Sequence, residues 1–398
     1  MPTLLAYAAF ALSGINVAAS GVLLPEQIAD YHVDKATIGL LFFTNSAGFV
    51  VAGAAAGWMI HRLGVRLTLL LGCGAFMAGT LYTATRPPFV AFIVIQILGG
   101  FGIGVLESVL NAYLAGLPKA TTRLNRLHAF FGVGALLGPL VATWVLGAGP
   151  WTVVKLLIAL AAVPLTIGFW VAYPRRSGEA GPGTEPSSPE PPAAGRGLLG
   201  AALREPGVLF GALLLSVYVG LEIGVGNWAF SYLTEERGHT EVLAGYTVSA
   251  YWFGLTLGRF LISPVATRFG LAAAGMMYAT MAGVVAAILL AWLPGVVAAT
   301  AGLALLGFFL GPVFPTTMAV APELTAPRLV ATAIGVMNAG SVAGGSALPW
   351  LAGAIAQGVG VWTLLPFAFV LALVQLVVWW RMAAGMRRVN LPTGTEFF

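Results

Sequence analysis

Apolar residues come in long runs along this chain, and each run of roughly 18–25 residues can cross a hydrocarbon core of about 30 Å. Short polar breaks separate them. The pattern predicts twelve helical spans: 3–25, 36–60, 66–85, 89–115, 126–147, 151–173, 207–231, 242–264, 270–293, 296–320, 331–356 and 360–382. The first is expected to be a retained helix, because its start lacks a basic stretch and a small-residue cleavage site. After the sixth span comes "PRRSGEAGPGTEPSSPEPPAAGRG", too polar and too rich in Pro and Gly to bury a core. The expected organisation is a six-helix half (1–174), a disordered cytoplasmic linker (175–204), a second six-helix half (205–384) and a cytoplasmic tail (385–398).

Composition sharpens the picture. Of 398 residues, 59% are hydrophobic and only 8% charged, which excludes an ordinary water-soluble domain. The net charge of +5 is spread over short loops and forms no stripe for nucleic acid. It reports orientation instead. Fourteen basic residues fall on the linker side, whereas the opposite side carries Lys35, Arg86 and Arg237. By the positive-inside rule the linker and both termini are cytoplasmic, in a cell (inner) membrane. The single cysteine, Cys73, rules out a disulfide within one chain and speaks against a cysteine-ligated metal.

The halves repeat weakly. One offset pairs Gly14 with Gly220, Gly39 with Gly245, and "RLG" (62–64) with "RFG" (268–270); a slightly larger one pairs "GFGIG" (100–104) with "GFFLG" (307–311). Both copies cross in the same direction, and such repeats place substrate near mid-membrane. Pro312 and Pro315 in "GPVFPTTM" are expected to distort the tenth helix.

Two acidic residues lie inside spans, Glu107 and Glu222. A charged side chain at that depth costs about 2.5–3.5 kcal/mol on insertion scales and usually marks a pathway. A group that takes up and releases a proton there is what a proton-coupled carrier needs. Both glutamates are therefore candidates for proton coupling. Structural carboxylates held by an internal cation are the alternative, with Lys155 and Arg259 as the candidate cations. Lys155 is expected to snorkel to the outer interface; Arg259 is a candidate gate, counter-ion or inner-leaflet anchor. Glu107 shares a helical face with Gln96, Gly100 and Asn111, and Glu222 shares one with Tyr218 and Gly226. Under the repeat, Glu222 aligns with Asn16. The amphipathic residues Asn16, Gln96, Asn111, His128, Tyr218, Asn227, Trp228, Tyr251, Trp252 and Asn338 are the candidate substrate contacts. Aromatic faces suit C–H surfaces and amides suit hydroxyls, as a sugar requires.

These features resemble the major facilitator superfamily over the whole chain: an all-α membrane protein of twelve helices in two parallel-repeated halves. The segment "GWMIHRLGVR" (57–66) is similar to the superfamily's loop between helices 2 and 3, with "TRFG" (267–270) as its counterpart. His61 stands where an Asp is usual. The resemblance makes His61, Arg62, Arg259 and Arg268 gating candidates. A narrower likeness, to the fucose permease group of sugar–proton symporters, rests on "GIGVLESVLNAYL" (102–114), "RLNRLHAFFGVGALLGP" (123–139), "YVGLEIGVGNWAFSYL" (218–233) and "YWFGLTLGRF" (251–260). It implies that Glu107 takes part in proton coupling and substrate binding. Two departures are visible. The first helix carries no acid, and His128 and Phe131 stand where fucose permease presents Gln and Asn to its sugar.

The reading that follows is a secondary active transporter working by alternating access, importing a sugar or similar polyhydroxylated solute with protons, sodium not being excluded as the ion. Proton-driven export of amphipathic compounds is the alternative, since "GALLGP" (134–139) also belongs to antiporters. A sensor would need a signalling domain larger than the tail supplies. No phosphate loop, metal-ligand cluster or nucleophile–base set is legible, so no enzyme activity, cofactor or metal is expected. The expected partners are a small-molecule substrate, protons and lipid, with the chain a monomer.

Overall fold

The computed structural model describes residues 1–173, 197–268 and 273–389. Among them there is helix and no strand. The twelve long helices are α1 (Pro2–Tyr31), α2 (40–63), α3 (65–84), α4 (Phe89–Ala115), α5 (Ala120–Leu146), α6 (Trp151–Ala172), α7 (Pro206–Ser231), α8 (Glu241–Arg268), α9 (Ala273–Trp292), α10 (Val296–Ala319), α11 (Val330–Gly358) and α12 (Leu364–Val389). They match the expected spans to within a few residues, except that α1, α5 and α12 extend one to two turns further. Most of the linker, 174–196, lies outside the described residues. Its last part contains a short helix, Leu198–Ala202.

Local chemistry sets the breaks. α2 and α3 follow one another with no loop between them, and the chain reverses at Gly64, whose φ of 76° and ψ of 165° belong to a region that only glycine enters without strain. The Thr68 hydroxyl caps the bend by donating to the Gly64 carbonyl at 2.8 Å, and Arg66 donates to the Tyr173 carbonyl at the end of α6. α10 breaks at Gly311–Pro312, where proline has no N–H to continue the ladder. α7 ends in a π-helical turn, Tyr232–Glu236, which the apolar pattern does not announce.

Cα packing divides the described residues into two compact units. The first comprises α1–α6 with 226–253 and 350–362; the second holds 197–225, 254–349 and 363–389. In the first unit Lys35 pairs with Glu235 at 2.9 Å, and its backbone N–H donates to Gln357. Asp34 caps the short helix Lys35–Ile38, and the Thr37 N–H holds its carboxyl below the ordinary carboxylate range. Helices in lipid gain no hydrophobic drive toward one another, so small residues must let their backbones close up. α1 and α5 do so: a Cβ at Gly134 would fall on the Ala11 carbonyl, and one at Gly14 on the Phe131 carbonyl.

Gly134→Val is expected to lower stability by about 1–3 kcal/mol through overpacking. Gly53→Val, where an added side chain meets open space, is expected to be near neutral. Thermal melts of the two purified variants in one detergent check the difference.

Candidate functional site

The first unit places five helices around a small polar cavity of about 10 Å³. Asn16 (α1), Asn45 (α2), Thr80 and Thr83 (α3), Gln96 (α4) and Lys155 (α6) line it. Trp151 fixes the outer start of α6: its indole N–H donates to Asp30 at 2.9 Å, and its ring packs against Tyr31 and Phe92. One turn further in, the Lys155 ammonium donates to Asn16 Oδ1 at 3.1 Å. Lys155 is only 8% exposed, so it does not snorkel outward as the sequence suggested. It lies on the face of α6 that meets α1 and α3, and its stem runs into the bundle. Gln96 donates to Thr83 Oγ1 at 3.3 Å and to the Phe92 carbonyl at 3.0 Å.

Glu107 lies in the middle of α4 and is half-buried. Among the described residues its carboxylate accepts no hydrogen bond and meets no cation. Asn111, expected beside it, turns its amide back onto the Glu107 carbonyl at 2.8 Å. Gln96 belongs to the Lys155 cavity. Gln96 and Asn111 thus have separate partners, and neither amide bonds the Glu107 carboxylate.

In the second unit Glu222 is bound. Arg259 Nη2 meets Glu222 Oε1 at 3.1 Å, which makes Arg259 the counter-ion among the roles the sequence left open. Glu222 is 7% exposed and Arg259 is partly exposed. Tyr218, one turn before Glu222, is fully buried and packs near Phe314.

The remaining candidates are scattered. Tyr251 and Trp252 are buried and packed edge to face on each other. Trp252 fills the space over Gly226, and Trp228 that over Gly353. Asn227 is also buried. These residues pack helices against one another. His128 is exposed and sits edge-on to Phe10; Asn338 is exposed and bonded to Ser341. Of the gating candidates, His61, Arg62 and Arg268 are exposed. A larger cavity of about 440 Å³, lined by Glu26, Asp30, Arg86 and Trp151, went unnoticed in the sequence because its residues come from three segments far apart along the chain, the end of α1, the turn after α3 and the start of α6.

The sequence profile described as Major Facilitator Superfamily matches residues 6–245 and 217–395. The chain is 28% identical over 385 residues to "Bypass of stop codon protein 6" of Saccharomyces cerevisiae, covering 88% of this chain and 76% of that protein. It is 22% identical over 352 residues to the glucose/mannose transporter GlcP of Bacillus subtilis, covering 88% and 86%. Its fold is similar to that of a bacterial homolog to the human lysosomal transporter Spinster, with a TM-score of 0.77, 13% identity, and 99% and 98% of the two chains covered.

Breaking a buried pair leaves one charge uncompensated, at a cost of about 3–5 kcal/mol when burial is complete. With Arg259 partly exposed, Glu222→Ala and Arg259→Ala are each expected to cost somewhat less than that. The double variant is expected to cost clearly less than their sum. A double-mutant cycle on thermal stability reads the coupling directly.

Proposed function

The chain belongs to the Major Facilitator Superfamily, and on that premise we propose that it imports a sugar or a similar polyhydroxylated solute together with protons, by alternating access. The observation that carries this reading is the unequal fate of the two intramembrane carboxylates. Glu222 is committed to Arg259, whereas Glu107 has no partner among the described residues. A carboxylate kept inside a span without a counter-charge is stable there only if it can take up a proton or meet a ligand. Glu107 is the proton-carrying group in this reading. The Glu222–Arg259 pair is a second element whose making and breaking accompanies the transport cycle.

Likeness to a glucose/mannose transporter over nearly the whole of both chains supports the hexose class. The narrower likeness to fucose permease supports sugar–proton symport, while His128 and Phe131 at its sugar-contact positions argue for a sugar other than fucose. The distribution of basic residues supports an orientation with both termini in the cytoplasm.

The test uses purified protein in sodium-free liposomes with an internal pH dye. Hexoses, deoxyhexoses, polyols and lipophilic cations are added to wild type, Glu107→Gln and Glu222→Gln. The expected result is sugar-evoked acidification of the lumen that Glu107→Gln abolishes. Silence to every sugar, with proton movement on adding a lipophilic cation, overturns the reading in favour of export.

A further inference from the structure

The Lys155 cavity belongs to no part of that mechanism, and its chemistry is unusual for a lysine. The ammonium is buried, and its hydrogen-bond partner is a neutral amide oxygen, Asn16 Oδ1. The other polar lining residues, Asn45, Thr80, Thr83 and Gln96, are neutral as well; no carboxylate lines the cavity. The internal repeat gives the contrast. Asn16 aligns with Glu222, and each receives a basic side chain from its own unit: Lys155 in one, Arg259 in the other. The second pair is neutral overall. The first sets a basic side chain against an amide oxygen, with only neutral groups around the cavity.

Amide carbonyls and hydroxyls are the oxygen donors with which proteins hold hard cations. Gln96 uses its amide nitrogen on Thr83 and on the Phe92 carbonyl, so what remains for the cavity is its oxygen. Thr83 gives its hydroxyl hydrogen to the Gly79 carbonyl and likewise has only oxygen to offer. Size narrows the occupant further. A space of about 10 Å³ holds at most one water-sized sphere, too little for a sugar, a phosphate or a hydrated ion.

We propose that this cavity is a monovalent-cation site whose resident cation is the Lys155 ammonium itself. The tethered ammonium ties α6 to α1 as a bound sodium ion would. With the site filled from within, sodium in the medium has no access to it. Removing the lysine side chain vacates a cradle of neutral oxygens that a bare sodium ion fits.

The experiment compares thermal stability in sodium chloride and in N-methylglucamine chloride at equal ionic strength, for full-length wild type, Lys155→Ala and Lys155→Met. A ligand that binds only the folded state raises the melting midpoint in proportion to its occupancy. Sodium is expected to raise the midpoint of Lys155→Ala by several degrees. It is expected to leave wild type unchanged, and Lys155→Met too, whose uncharged stem refills the space. Adding Asn16→Ala to Lys155→Ala is expected to erase the sodium effect. Should the alanine variant fail to fold, Lys155→Ser takes its place in the same comparison. A truncated variant indifferent to sodium overturns the proposal, as does a wild type that sodium stabilises equally. The assay needs no transported substrate, so its outcome is separate from that of the symport reading.

Discussion

A charge inside a bilayer must find a partner within the protein, because lipid offers none. Four charged side chains within the spans stand in three different relations to that constraint. Glu222 and Arg259 neutralise each other at 3.1 Å. Lys155 is held by the amide oxygen of Asn16. Glu107 has neither arrangement among the described residues. The division of labour follows from this: a closed pair, a held cation, and one carboxylate left available for chemistry.

Helix packing makes those arrangements possible. Asn16 can face Lys155 because α1 lies close against α5 through Gly14 and Gly134, leaving its opposite side to α6. Trp151, bonded to Asp30, sets the depth at which Lys155 enters the bundle. The chain reverses at Gly64 between α2 and α3, so Asn45 and Thr80 come from two neighbouring helices into the same cavity. Small residues bring the backbones together, and only then can short polar side chains satisfy one another.

The twelve spans were legible because an apolar run of the right length has few other fates, and the break in α10 because proline lacks an N–H. Depth along the membrane normal could be read from position in a run. Azimuth and side-chain direction could not. Lys155 sits at the depth of a snorkelling residue, yet it points into the bundle. Asn111 falls on the face of Glu107, yet it bonds its own helix. Trp228 and Trp252 have the composition of a sugar platform but are packed over Gly353 and Gly226, a fact that depends on neighbours distant in sequence. A signal did exist for the Lys155 cavity. The repeat sets Asn16 opposite Glu222, so the first helix carries a polar group at the position where the second half carries its carboxylate.

The central claim is that Glu107 links solute movement to protons, and separating exchange from accumulation tests it most directly. Labelled hexose is followed in liposomes carrying Glu107→Gln, once with unlabelled sugar inside and no pH gradient, and once with a pH gradient alone. The account predicts that exchange persists in this variant while gradient-driven accumulation disappears. Accumulation at the wild-type level would contradict it and place the proton on another group.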